Sequence, residues 1–361
     1  MPTTTTAWQL GPFTKLDDAN PILRAKPDST FYCPVRGDVV EWEAKDVFNP
    51  CAVVRDGKVF LIYRAEDRVG RHAGTSRLGL AVSDDGVHFR RHGSPVLYPD
   101  RDAFQQWEWE GGVEDPRIVE DDRGTYYLTY NAFNGNVMSG RQCLATSRDL
   151  LHWQKHGVIG GIDGELQNGT GYKSGVILSQ RVGDRLVAAR VNGRYWMYWG
   201  VETLRLAVSD DLIRWERVLD DDGHELTVLA PRPDDRFKHT DNMAVEGGAA
   251  ALLTHHGIVV LYNGICNPLP PDQRTPTPDG GRVGNRWVGV QALFDADDPA
   301  RLLDRDDDPF VRPERSYETD GQVARVTFIE GLVHHRGRWL LYYGTADSCI
   351  AVAAATTGQD A

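Results

Sequence analysis

The chain of 361 residues carries 52 acidic against 40 basic side chains, a formal net charge of −12, which argues against a surface that tracks nucleic-acid phosphates. Its five cysteines, Cys33, Cys51, Cys143, Cys266 and Cys349, are scattered with no CxxC pair. That pattern fits neither a disulfide framework nor a structural zinc site and predicts a reducing compartment. The leading MPTTTTAWQLGPF has no basic or apolar signal region, and no apolar run approaches the ~18 residues of a membrane helix; the expectation is a cytoplasmic protein without metal or membrane partner.

Residues 1–46 read as an arm punctuated by Pro12, Pro21, Pro27 and Pro34, which rule out a long helix. From Phe48 a unit begins: FNPCAVVRDGKVFLIYRAED, then RLGLAVSDDGVHF. It reads as an apolar strand, an Asp56-Gly57 turn, an aromatic strand and two further strands. The same grammar returns at EDPRIVEDDRGTYYLTYNAF, at KSGVILSQ with RYWMYWGVE, at VEGGAAALLTHHGIVVLYNGI, and at VTFIEGLVHHRGRWLLYYGTAD. AVSDDGVHF, ATSRDLLHW and AVSDDLIRW are three copies of one turn, in which Ser and Asp satisfy backbone donors and the aromatic fills the space towards the next unit. Five units of about four strands, at intervals of roughly 60–80 residues, fit an all-β, five-bladed β-propeller in a single domain better than a sandwich. Only 42–48 and 298–304 could manage a helical turn or two. The Pro/Gly-rich segment 267–285 is either a disordered surface loop or a lid.

The first strand of each propeller blade lines the central channel. The leading ends of these five strands read Phe48-Asn49-Pro50, Glu114-Asp115-Pro116-Arg117, Lys173-Ser174-Gly175, Glu246-Gly247-Gly248 and Phe328-Ile329-Glu330. Second strands add Arg64, Glu66 and Asp67 at one exit and Asp347 at another. Acids, an amide and cations, with Trp107, Trp109, Tyr126 and Trp199 at the fringe, suit a sugar, whose hydroxyls bond to acids and amides while its C–H faces stack on rings. HExxH, GxSxG, P-loop and GxGxxG signatures are absent. The pairs His255-His256 and His334-His335 fall at hairpin turns and are not read as metal ligands.

From VFNPCAVVRDGKVFLIYRAED through GGVEDPRIVE, KSGVI and MYWG to YYGTAD, the chain resembles glycoside hydrolase family 130, the mannoside phosphorylases and their hydrolytic relatives. GGVEDPRIVE is the specific element. The resemblance implies a five-bladed propeller that cleaves β-mannosidic bonds with inversion, inorganic phosphate replacing water and no other cofactor being needed. It places the general acid on Asp115, relayed through a sugar hydroxyl. It places Asn49, Arg64 and Asp347, with their neighbours Asp67 and Glu114, on the mannosyl unit, and Arg141 and Lys173 on phosphate. Free phosphate is already anionic and needs cations rather than a base. An inverting hydrolase needs a second carboxylate to activate water. One departure stands out: phosphorylases of the family commonly place a histidine beside phosphate on the third blade, where this chain has Trp199-Gly200. The leading expectation is phosphorolysis of a mannosyl-glucose or manno-oligosaccharide to α-mannose 1-phosphate. The alternatives are an inverting β-mannosidase with Glu202 or Glu246 as base, and a non-catalytic glycan-binding propeller; a homo-oligomer is left open.

Overall fold

A computed structural model describes residues 6–71, 74–136, 140–159, 173–277 and 281–356. Among them helix is confined to single turns, Gln105–Glu108 and Ser316–Thr319, with short 3-10 turns at Asp235–Phe237 and Pro271–Gln273. The helical turns fall in connections rather than at 42–48 or 298–304. Nearly everything else that is regular is antiparallel β-sheet, and it divides as the repeats do.

The first unit runs Asp46–Arg55, Lys58–Glu66, Ser76–Ser83 and Arg90–Arg91, each strand paired with the next. The second runs Gly112–Glu120, Tyr126–Phe133, Arg141–Ser147 and Gln154–Val158. The third is less regular: Val176–Val182 pairs with both Arg185–Ala188 and Arg194–Trp199 before Leu204–Ser209 and Glu216–Arg217 follow. The fourth is Ala244–Thr254, Gly257–Cys266, Arg286–Phe294 and Leu302–Arg305. The fifth is Thr327–His335, Arg338–Thr345 and Cys349–Thr356, and its fourth strand is Thr14–Lys15 from the N-terminal arm, paired with Ala353 and Ala354.

The leading strands of the five units touch in sequence order, and the fifth touches the first. Apolar packing follows the same circuit. One cluster joins Ile62 and Leu78 of the first unit to Val113 and Leu128 of the second, and another joins Val119 and Leu144 to Ile177 and Met197 of the third. Leu178 and Leu206 meet Val245 and Val260, Leu252 meets Leu332, and Val352 returns to Leu61. Each sheet therefore buries both faces, which is why strands such as Thr327–His335 are buried at every position and show no alternation in sequence. The arm contributes Trp8 and Leu10 to one cluster and Cys33, Val40 and Trp42 to another. All five cysteines are free and buried.

The repeated turn has one geometry in three places. Ser83, Ser147 and Ser209 accept through Oγ from the amides two and three residues on, and Asp85, Asp149 and Asp211 do the same one step later. Trp153 and Trp215 donate to the carbonyls of Leu150 and Leu212 and pack towards the neighbouring sheet. This motif is structural. The 267–285 segment is tied at its base, where Asn267 donates to the Val283 carbonyl and to Asn285, while Arg274 folds back onto the Leu269 carbonyl; 278–280 lie outside the described residues.

Candidate active site

Four of the five leading strands carry a β-bulge near the same end, at Phe48/Pro50, Glu114/Arg117, Gly247/Ala250 and Ile329/Gly331. A bulge re-aims the side chain at the extra residue. Here it turns Asn49 and Asp115 to left-handed backbone, φ 47° each, and Ser174 at the head of the third unit has φ 65°. Asp and Asn tolerate that region better than branched residues do. The close approach this demands explains two glycines: a Cβ on Gly247 would lie 2.1 Å from the Ser174 carbonyl oxygen, and one on Gly344 2.1 Å from Asn49 Oδ1.

These re-aimed residues converge on Asp115, which is 4% exposed. Its Oδ1 accepts from Asn49 Nδ2 at 2.9 Å and from Arg64 Nη1 at 3.0 Å, and its Oδ2 faces Lys173 Nζ at 3.2 Å. Arg64 also reaches Glu66 at 2.7 Å and Glu114 at 2.9 Å, and bonds Ser76 Oγ. Glu114 is held from its other side by Asn131 Nδ2 at 2.8 Å. Lys173 bridges Asp115 to Glu246, 3.1 Å away, and Glu246 takes a short bond from Ser174 Oγ. Arg117 lies beneath, 3.1 Å from Glu330.

The electrostatics separate these acids. Burial works to raise Asp115, but Lys173 and Arg64 outweigh it and hold the carboxyl well below the usual range, so it is ionised in the free protein. Lys173 is held above its ordinary value: burial opposes its charge, and the carboxylates of Glu246 and Asp115 overcome that. Asp347 goes the other way, pushed up to about 7 by burial, with Arg64 opposing and Asp115 and Glu66 adding to the rise. Burial likewise raises Glu114, and Glu330 well above the carboxylate range. Six carboxyl groups share four cations here, Lys45 reaching Glu66 at 2.8 Å from outside the group, and lifting some pKa values is how buried acids relieve such an excess.

Not every residue singled out from sequence joins this group. Asp67 does not: it is 0% exposed, its Oδ1 accepts from the amides of Val69, Gly70 and Thr75, and its Oδ2 is taken by Arg77 at 2.7 Å. Its carboxylate organises the loop after the second strand, leaving no edge for a sugar. Arg141 stands one register step beyond the Glu114–Asn131–Gln142 row and donates to the Gly140 carbonyl; among the described residues it makes no ion pair with the cluster. Glu202 is exposed and lies across the ladder from Val245, beside buried Glu246. Tyr126 pairs with Glu120 at the far end of its strand and packs in the core, so it does not fringe the site; Trp107 and Trp109 pack against core clusters and Trp199 is 5% exposed. His334 is bonded to Asp184 and His335 to the Asp84 carbonyl. The residue missed in sequence is Asn131. It follows the buried Tyr130 as Arg64 follows Tyr63 and Asn263 follows Tyr262, a periodic signal that was available.

Similarity to known proteins places the chain in a family. The family model for beta-1,4-mannooligosaccharide phosphorylases matches residues 17–359. A 1,2-beta-oligomannan phosphorylase of Thermoanaerobacter sp. (strain X514) is 30% identical over 87% of this chain and 90% of its own. A solved glycosyl hydrolase from Bacteroides ovatus is 40% identical, covering 99% of this chain and 97% of that one with a TM-score of 0.88. A further structure, described with the finding that this family contains hydrolases targeting beta-1,2 mannosidic linkages in Candida mannan, is 40% identical, with a TM-score of 0.89 and 99% and 97% covered. The class is therefore that of enzymes that break glycosidic bonds by phosphorolysis or hydrolysis. Within it, the chain belongs to glycoside hydrolase family 130, the family of mannoside phosphorylases.

Proposed function

We propose that this protein is an inverting β-mannosidase acting on β-1,2-linked mannosides, built as a single five-bladed propeller whose blades are the five sheet units. The observation that carries the choice of water over phosphate is the charge around Lys173. Its ammonium already lies between Asp115 and Glu246, six carboxyl groups face four cations, and among the described residues Arg141 does not join it. A phosphate would have to displace two buried carboxylates from that ammonium and bring further negative charge into the cluster. The β-1,2 linkage is supported by the names of the oligomannan phosphorylase and of the Candida mannan hydrolases.

In this reading Asn49, Arg64, Glu114 and Asp347 hold the mannosyl hydroxyls. Asp115 supplies the proton to the leaving oxygen through a sugar hydroxyl. Seating a sugar over Asp115 expels water and favours the protonated form that this step needs. A water attacks the anomeric carbon from the opposite face and loses its proton to Glu202 or Glu246. Of these, Glu202 has the exposure to meet water, whereas Glu246 is occupied by Lys173 and Ser174. Phosphorolysis is the second reading, favoured by the curated relative's activity and by Lys173 as a cation beside the acid. The test is incubation with β-1,2-mannobiose with and without inorganic phosphate. Free mannose at the same rate in both is expected; product formed only with phosphate, as mannose 1-phosphate, would overturn the assignment.

A further inference from the structure

Arg117 has no part in the chemistry above, yet it is bonded as heavily as Arg64, each with four partners. It is 4% exposed. Its Nη1 donates to the carbonyl of Asp115 at 3.1 Å, its Nε to that of Gly248 at 3.2 Å, and its Nη2 to that of Gly247 at 2.6 Å. The same Nη2 lies 3.1 Å from Glu330. One planar fork thus ties the bulge of the second unit to the bulge of the fourth and to the leading strand of the fifth.

What it grips is the backbone of the acid. Asp115 holds φ 47° immediately before Pro116, and a following proline disfavours helical backbone angles by steric contact. A non-glycine residue keeps such a conformation only where its surroundings fix it. Asn49, Arg64 and Lys173 bond the carboxylate, but the carbonyl bond from Arg117 fixes the peptide that aims it. Behind the fork a cavity of about 20 Å³ is lined by Arg117, Glu330, Thr129, Gly175, Cys51 and Ser179, among others. Among the described residues neither oxygen of Glu330 meets hydrogen-bond geometry, and the space suffices for a single water.

We propose that Arg117, backed by Glu330, is a positioning residue that sets Asp115 from beneath by holding its left-handed peptide. This rests on the reading that Asp115 supplies the proton. Lysine at 117 could offer the charge but not a planar fork to three carbonyls.

The experiment compares Arg117→Met/Glu330→Met, Glu330→Gln and Asp115→Asn with wild type, on β-1,2-mannobiose and on an aryl β-mannoside whose leaving group needs little protonation. Removing both members of the buried pair avoids stranding a charge. The double variant is expected to fold, with KM within about threefold and kcat on the disaccharide down by roughly 30-fold or more, as misplacement of a catalytic group produces. Its deficit should shrink on the aryl substrate, and that of Asp115→Asn should shrink in the same way. Glu330→Gln, which keeps the three carbonyl bonds of the fork, should lose less kcat on the disaccharide than the double variant; a loss as large would overturn the role of the fork. Should the double variant fail to fold, Arg117→Lys carries the same expectation of low kcat with unchanged KM. Wild-type kcat in the double variant, or an equal deficit on both substrates, overturns the positioning role while leaving Asp115 intact. Activity surviving in Asp115→Asn on the disaccharide would instead remove the reading on which it rests.

Discussion

Lys173→Met isolates the contact that fixes the charge on Asp115. The ammonium is 3.2 Å from one buried carboxylate and 3.1 Å from another, and a hydrogen bond to a charged group contributes about 1.5–3 kcal/mol. One pKa unit corresponds to about 1.36 kcal/mol, so losing the Asp115 contact should raise that carboxyl by about 1–2 units. Two consequences have definite signs. The depressed pKa of Asp115 gives stability that is present above the unfolded value and lost as pH falls through the folded one. The variant should therefore be less stable than wild type at pH 7, with the gap narrowing in acid. In the proposed mechanism Asp115 must be protonated with sugar bound, so the limb of kcat that falls with rising pH, which reports the sugar complex, should move about 1–2 units towards alkali, whatever happens to its height. The assay is mannose release from β-1,2-mannobiose across the pH range. A limb that stays in place, or moves towards acid, would show that Asp115 is not the group titrating, and the argument from Lys173 would fail.

Asp347, pushed up to about 7 by burial, binds a proton in the folded state over a range where the unfolded chain has released it, so its contribution weakens as pH climbs towards 7. Asp347→Asn should gain up to about 3–4 kcal/mol at pH 8 and almost nothing at pH 4; urea melts at both values check this, and an equal gain at both would contradict it. Gly344→Ala would place a Cβ 2.1 Å from Asn49 Oδ1, pushing the amide off Asp115 and lowering kcat/KM by about 10- to 100-fold. Unchanged kinetics there would mean that the Asn49 contact is dispensable.

Much of this was legible because the repeats share a register. Asn49, Asp115 and Lys173 are far apart in sequence, yet each stands at the leading end of an inner strand, and that alone predicts that they meet. The Ser-x-Asp turns were readable because their bonds are local, within three residues of the serine. What failed depended on long-range partners. Asp67 is three residues from Arg64 in the same exit, and only the return of the loop to Arg77 shows that its carboxylate is consumed. Tyr126 has the composition of a sugar platform, but its pairing with Glu120 puts it at the wrong end of the sheet. Arg141 is separated from its expected place by one register step, a distinction that residue types do not carry. Asn131 went unread because the eye follows charge, and an amide that steadies a carboxylate from behind has none.

The pairing of Thr14 and Lys15 with Ala354 and Ala353 also has a meaning for how the protein is made. The strand that completes the fifth sheet is synthesised long before its partner, with the other four sheets in between. Trp8 and Leu10 can settle on the fourth unit, where they bond Asp304 and Gln291, but Thr14–Lys15 has no strand to pair with until Ala353 and Ala354 have been made. Sheets synthesised earlier can begin to pair as they leave the ribosome, but completing the fifth sheet must wait until Cys349–Thr356 has emerged. The slow, aggregation-exposed stage of folding is then a molecule with one open seam in its fifth sheet, and a chaperone that shields it has to cover the free edge that Thr14–Lys15 will fill.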